Sequence, residues 1–178
     1  MQLGANPSPV LRIFGSCNGL LAVCHSEQGV IALWNPSTRK CHYLPTPGDD
    51  IMDHDIVPRY WYSDNTVLGF GYDVCNSDYK VVKMLRSKTQ NCFKVMVYSL
   101  KAKSWRIKDC PYGNPRDFID GAYVNGALYW VGDEIGKISR GKLIFTFDLG
   151  TEEYYVIFEG DIRFRKEKCG YDGTIFIK

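Results

Sequence analysis

Short apolar runs alternate with polar turns along most of this chain, and no stretch carries the 3.6-residue apolar spacing of an amphipathic helix. One phrase recurs three times. An apolar run enters a polar turn of four to six residues, and a second run leaves it. It is first met at Ile31-Ala32-Leu33-Trp34-Asn35-Pro36-Ser37-Thr38-Arg39-Lys40-Cys41-His42-Tyr43-Leu44-Pro45. It returns from Val95 through Tyr98-Ser99-Leu100-Lys101-Ala102-Lys103-Ser104-Trp105 to Ile107, and again from Ile144 through Phe147-Asp148-Leu149-Gly150-Thr151-Glu152-Glu153 to Ile157. Each copy predicts a strand, a tight turn and a partner strand.

The remaining runs fit the same scheme. Asn18-Gly19 and Asn125-Gly126 are tight-turn pairs, because both residue types tolerate positive φ. Leu20–His25, Val30–Trp34 and Lys40–Leu44 predict three short antiparallel strands, and Val10–Phe14 reads as a further strand before them. Thr66–Asp73 and Tyr79–Leu85 flank the turn Asn76-Ser77-Asp78. Asp172-Gly173, 47 residues beyond Asn125-Gly126, opens another hairpin near the end of the chain. The anchors Trp34, Tyr98 and Phe147 lie 64 and 49 residues apart, and the longer interval contains one long irregular segment. Units of about 40–50 residues made of four short strands are the period of propeller blades. The expected fold is all-β, a propeller-like repeat of short antiparallel blades, three to four in number and incomplete. Blades bury apolar surface only against their neighbours, so the chain reads as part of a longer protein with blades missing after Lys178. In this reading residues 1–14 are the tail of something longer, and 15–178 form one β-repeat domain cut short at its C-terminus. Trp34, Trp105 and Trp130 read as blade-packing residues, and Gly69-Phe70-Gly71 as a strand bend with neither the third glycine nor the helix of a dinucleotide site.

The irregular segment, Thr46–Asn65, is long for a compact domain and is therefore a functional or mobile loop. Within it stand Arg59, Tyr60, Trp61 and Tyr62. Arg, Tyr and Trp dominate binding hot spots, and loops on a rigid scaffold are the usual place for them. These four residues are the candidate protein-binding site; the alternative is that their rings fold back to cap a blade. Asp49, Asp50, Asp53, His54 and Asp55 precede them without the glycine spacing of a calcium loop, and read as a solvated loop.

Composition narrows the function classes. Lys and Arg number 22 against 20 Asp and Glu, so a net charge of +2 gives no case for nucleic acid. No apolar run is long enough to span a membrane, and the first residues lack a secretory signal pattern. Seven cysteines, with no Cys-x-x-Cys pair, and three histidines give no metal spacing. Several of these cysteines lie in apolar runs, where a free thiol acts as a small hydrophobe. The expected setting is reducing, cytoplasmic and/or nuclear. Gly-x-Ser-x-Gly is absent, and Arg163, Arg165, Lys166 and Lys168 read as a solvated strand edge. No catalytic residue, metal or cofactor is expected.

Five motifs in order resemble the plant F-box-associated domain of kelch-type and S-locus F-box proteins. They are Gly15-Ser16-Cys17-Asn18-Gly19-Leu20-Leu21; Trp34-Asn35-Pro36-Ser37-Thr38-Arg39-Lys40; Gly69-Phe70-Gly71-Tyr72-Asp73 with Asp78-Tyr79-Lys80-Val81-Val82-Lys83; Val97-Tyr98-Ser99-Leu100 with Ser104-Trp105-Arg106; and Asn125–Trp130 with Phe147-Asp148-Leu149. The resemblance runs from about Gly15 to the end. It implies a non-enzymatic module that binds target proteins for a Skp–cullin–F-box ubiquitin ligase, meeting the Skp-type adaptor only through an F-box. No F-box precedes Gly15 in this chain. The alternatives are a decoy that occupies the same targets without an F-box, and a propeller that binds sugars or small molecules.

Overall fold

A computed structural model describes residues 11–25, 29–47, 67–86, 92–113, 120–133 and 142–158, and every regular element among them is a β-strand. The strands form three four-stranded antiparallel sheets, each a simple meander. Blade 1 holds β1 (Leu11–Cys17), β2 (Leu20–His25), β3 (Ile31–Asn35) and β4 (Lys40–Tyr43). Blade 2 holds β5 (Val67–Asp73), β6 (Asp78–Arg86), β7 (Cys92–Ser99) and β8 (Ser104–Gly113). Blade 3 holds β9 (Ala122–Val124), β10 (Ala127–Asp133), β11 (Lys142–Asp148) and β12 (Tyr154–Phe158). The three recurrent phrases are the outer hairpins β3–β4, β7–β8 and β11–β12. β1 adds a fourth strand to the three read from Leu20 to Leu44; its register with β2 shifts between Ile13 and Gly15.

The turns fall into two designs, and the sequence dictates both. Asn18-Gly19 and Asn125-Gly126 close two-residue hairpins with φ of 48° and 78°, and 46° and 84°. Two consecutive left-handed residues are what such a hairpin requires. The other design appears four times. A polar residue ends the first strand, and its side-chain oxygen accepts the N–H three residues on: Asn35 from Thr38 (3.1 Å), Asp73 from Asn76 (3.0 Å), Ser99 from Ala102 (2.9 Å) and Asp148 from Thr151 (2.8 Å). The residue after that acceptor's donor is left-handed in every case: Arg39, Ser77, Lys103 and Glu152, with φ between 51° and 58°. Short polar side chains satisfy the turn's backbone donor and so hold the tight reversal.

The inner strands β1, β5 and β9 touch one another, which places them around a common axis, and the sheets stack face to face. Strand period two then sorts the core. One cluster packs Phe14, Ala22, Ile31 and Leu33 of blade 1 on Phe70 and Tyr98 of blade 2. The other packs Val82, Val95 and Val97 of blade 2 on Trp130, Phe145 and Phe147 of blade 3. Blade 2 is thus buried on both faces, which is why its strands read as nearly continuous apolar runs.

Gly69 and Gly71 do not bend β5, whose pairing with β6 runs unbroken from Val67 to Asp73. They make room. A Cβ at Gly69 would stand 2.7 Å from the Trp130 ring, and one at Gly71 would meet the Tyr123 ring and a Leu149 methyl at 2.8 Å. Trp130 cannot retreat, because its Nε1–H donates to Leu68 O (3.0 Å), and the Tyr123 hydroxyl donates to Tyr72 O (2.8 Å). Gly71→Ala is therefore expected to destabilise the protein by about 1–3 kcal/mol through overpacking. A urea midpoint unchanged from wild type would refute this account of the blade junction.

Candidate protein-binding face

A four-stranded meander puts its first and third turns at one edge of the blade. Its middle connection and the link to the next blade leave from the other edge. All six described turns therefore share one edge of the array, here the turn edge. β4 ends and β5 begins at the opposite, connection edge. Arg59, Tyr60, Trp61 and Tyr62 fall between β4 and β5 in the sequence and lie outside the described residues, as do Asp49–Asp55 and Arg163–Lys168.

The turn edge of blades 1 and 2 is basic. Arg39, Lys40, Lys101 and Lys103 are exposed there. The acids beside them are buried and engaged. Asp78 accepts from the Ser99 hydroxyl and from Lys101 N–H (2.8 Å). Asp73, wholly buried, lies 2.7 Å from Lys80 Nζ and accepts from the Asn76 side-chain amide at 2.7 Å.

Five charged residues meet where blade 3 closes on blade 2. Glu152 sits at the left-handed position of the β11–β12 turn and extends to blade 2. Its Oε1 takes Lys80 Nζ (3.0 Å) and Arg106; its Oε2 takes Arg106 Nε (3.1 Å) and lies 3.3 Å from Lys108 Nζ. Lys80 Nζ also donates to Leu149 O, and Lys108 Nζ to Glu152 O (3.1 Å). Three cations thus hold two carboxylates, Glu152 and Asp73. Burial pushes the Asp73 carboxyl up, but hydrogen bonds from Lys80 and Asn76 outweigh it, and the group stays below the ordinary aspartate range. Burial, then the neighbouring Arg106 and Lys80 charges, hold the Lys108 ammonium below the ordinary lysine value. Every member of the cluster has a partner across the junction or beside it, so the group is a latch between blades rather than a reactive centre.

A second buried cation faces blade 1. Lys83 lies in the row Leu68–Lys83–Met96 and is only 1% exposed. Burial lowers its pKa from 10.5 to about 7, with nearby Cys24 acting weakly the other way. Near the axis, Arg12 and Asp120 pair at 3.5 Å, and Asp120 Oδ1 accepts from Leu68 N–H (3.2 Å). Among the described residues no group of three His, Cys, Asp or Glu side chains is placed to hold a metal ion.

Trp105 and Trp130 are buried as expected. Trp105 spans a junction, its Nε1–H donating to Pro45 O (2.7 Å). Trp34 differs: it is 38% exposed, on the face of blade 1 turned away from blade 2. Sequence reading passed over Lys80 and Lys83. The signal was present as two lysines of opposite strand parity inside the apolar run Tyr79–Leu85. A strand buried on both faces has to neutralise or desolvate each of them.

The F-box associated beta propeller domain family matches residues 2–173. Among curated proteins of Arabidopsis thaliana, the chain is 32% identical over 165 residues to F-box protein CPR1, covering 82% of this chain and 38% of that protein. It is 30% identical to F-box protein At4g22390 over 165 residues (82% and 39%), and 27% identical to F-box/kelch-repeat protein At3g23880 over 149 residues (80% and 37%). The chain therefore spans under two-fifths of the length of these relatives. No solved structure matches it.

Proposed function

The chain belongs to the F-box-associated β-propeller family, and from that membership we propose that it is a protein-interaction module that recruits target proteins to a ubiquitin ligase of the Skp–cullin–F-box type. The match across residues 2–173, together with relatives that are F-box proteins, carries this reading. In it the blades are scaffold and the chemistry of ubiquitin transfer belongs to other subunits. A Skp-type adaptor is met through an F-box, and the target is held by loops of this domain. Arg59, Tyr60, Trp61 and Tyr62 are the proposed anchors: four large hot-spot side chains in one irregular stretch of sequence. The setting proposed is cytoplasmic or nuclear, in keeping with Cys17, Cys24 and Cys110, which are buried in the blade cores as thiols rather than disulfides.

The test is affinity capture from plant cell extract with the whole chain as bait, followed by quantitative proteomics. A discrete set of proteins is expected, lost by tenfold or more with Trp61→Ala, an anchor loss of about 1.4 kcal/mol or greater. The urea midpoint should stay unchanged. Equal capture by wild type and variant would remove the anchors. Captured proteins whose ubiquitination is indifferent to an F-box protein carrying this domain would remove the ligase role.

A further inference from the structure

Arg39, Lys103 and Glu152 occupy one position of the repeated turn, the left-handed residue after the capped N–H, with φ of 55°, 55° and 58°. In blade 3 that position serves the fold. Glu152 is buried and ties itself to Lys80, Arg106 and Lys108 of blade 2. In blades 1 and 2 it does not. Arg39 and Lys103 are exposed, and among the described residues neither makes an ion pair. Lys40, next to Arg39, is exposed and without an ion pair as well. Lys101 is exposed too, and its Nζ donates to Asn76 O (3.1 Å). That bond uses one of three ammonium donors and leaves the charge uncompensated.

These four cations belong to neighbouring turns. Blades 1 and 2 pack face to face through Phe14, Leu33, Phe70 and Tyr98. Their β3–β4 and β7–β8 turns therefore lie side by side on the turn edge, at about the 10 Å spacing of stacked sheets. The carboxylates nearby are already engaged. Asp73 is wholly buried against Lys80 and Asn76, and Asp78 is buried and accepts from the Ser99 hydroxyl and Lys101 N–H. On the same edge the β5–β6 turn exposes only uncharged residues, Val74, Cys75, Asn76 and Ser77. Four like charges on one edge repel one another and hold nothing together inside the fold. Such a concentration of one sign attracts an anionic partner from solution.

We infer that the turn edge of blades 1 and 2 docks an extended, carboxylate-rich segment of a partner protein. An extended chain advances about 3.3 Å per residue, so roughly three residues span the gap between the two turns. Acidic side chains that far apart meet Arg39 and Lys40 on one turn and Lys101 and Lys103 on the other. Arg39 offers a carboxylate a planar fork, and the lysines offer mobile point charges. The turns that carry them are held in place by their caps, Asn35 on Thr38 N–H and Ser99 on Ala102 N–H, so little backbone order is lost on binding. In the binding-module reading on which this rests, the edge sets the chemistry of the target segment, whatever Arg59–Tyr62 contribute.

Fluorescence anisotropy of the whole chain with a fluorescein-labelled ten-residue peptide of alternating glutamate and glycine tests this. At about 50 mM salt the dissociation constant should lie below about 1 mM. Binding should weaken tenfold or more by about 500 mM salt, where charges are screened within about 5 Å. Lys103→Glu should weaken it about fivefold or more, and Arg39→Glu on the other turn should do the same. Both variants should keep the wild-type urea midpoint, since Glu152 already occupies the same left-handed turn position in blade 3. Lys142→Glu makes the same charge change on an exposed residue at the connection edge and should cost less than about twofold. Equal losses at Lys103 and Lys142 would reduce the effect to net charge and overturn the inference. So would equal binding of a glutamine–glycine peptide, or an undetectable interaction with the acidic one. Tighter binding of a ten-nucleotide oligothymidine would assign the edge to nucleic acid and overturn it as well. Capture from plant extract that is lost with Trp61→Ala but indifferent to Lys103→Glu would leave the binding module standing and remove the acidic segment. Failure to capture any discrete set, with the peptide binding as described, would remove the recruiting role and leave the acidic site.

Discussion

With Lys80 replaced by methionine, the free energy of unfolding is expected to fall by about 3–5 kcal/mol at pH 7, the range for removing one partner from a buried charge group. The reason is what the substitution leaves behind. Asp73 is fully buried and would retain only its Asn76 contacts, while Glu152 would keep Arg106 and Lys108 but lose its most buried cation. The pH profile distinguishes this from a packing defect. In the wild type the Asp73 carboxyl sits below its ordinary value. Its contribution is therefore fully present above the unfolded aspartate value of about 3.9 and is lost as pH falls through the lower folded value. In the variant the unpaired buried carboxyl titrates above the ordinary value, so protonation relieves it early. The two stability curves should converge on acidification, as measured by urea unfolding from pH 7 downward. Curves that stay parallel would assign the loss to packing. Adding Asp73→Asn to Lys80→Met should recover roughly half of the loss or more, since no uncompensated charge then remains at that point.

Replacing Lys83 should act in the opposite direction. This ammonium is buried in the blade 1–blade 2 junction with a pKa of about 7 against an ordinary 10.5. Above pH 10.5 the amine is neutral in both states and its burial carries no electrostatic penalty. Between 10.5 and about 7 the unfolded chain binds a proton that the folded chain does not, so stability falls as pH falls; below about 7 the penalty is constant. Lys83→Met keeps the length of the side chain and removes this dependence. The variant should be more stable than wild type at pH 6 by on the order of 3–5 kcal/mol, and the advantage should fade toward pH 10. Cys24, whose thiol burial pushes above its ordinary value while the Lys83 charge pulls it back, is coupled to this lysine, so the comparison is made in a Cys24→Ala background. Chemical denaturation at pH 6 and pH 10 checks the prediction, and an advantage that is equal at both would refute it.

The repeated outer hairpin was legible because everything it needs is local. Asn35, Ser99 and Asp148 cap turns within their own few residues, and the apolar residues on either side announce the strands. The Asn-Gly turns were legible for the same reason. The junction between blades was not. Glu152 and Lys80 are 72 residues apart in the chain, and Trp130 finds its acceptor 62 residues away at Leu68. Gly69 and Gly71 illustrate the difference. As letters they suggested a bend in the strand; in the fold they are spaces for the rings of Trp130 and Tyr123.

By itself, then, the sequence determined the class of fold, the strand–turn–strand unit, its repetition and, through ordered motifs, the family. All of these follow from short-range stereochemistry and from the period of two that sorts a strand's side chains into two faces. Only the tertiary structure decided what lies against each face. Tyr98 and Trp34 carry the same pattern, yet one is buried and the other open, because a blade's surroundings are set by its neighbours in space. The same holds for Lys80 and Lys83, three residues apart on opposite faces of β6. One meets the carboxylates of blades 2 and 3; the other is buried at the blade 1 junction beside Cys24, and that difference in surroundings makes one a latch and holds the pKa of the other at about 7.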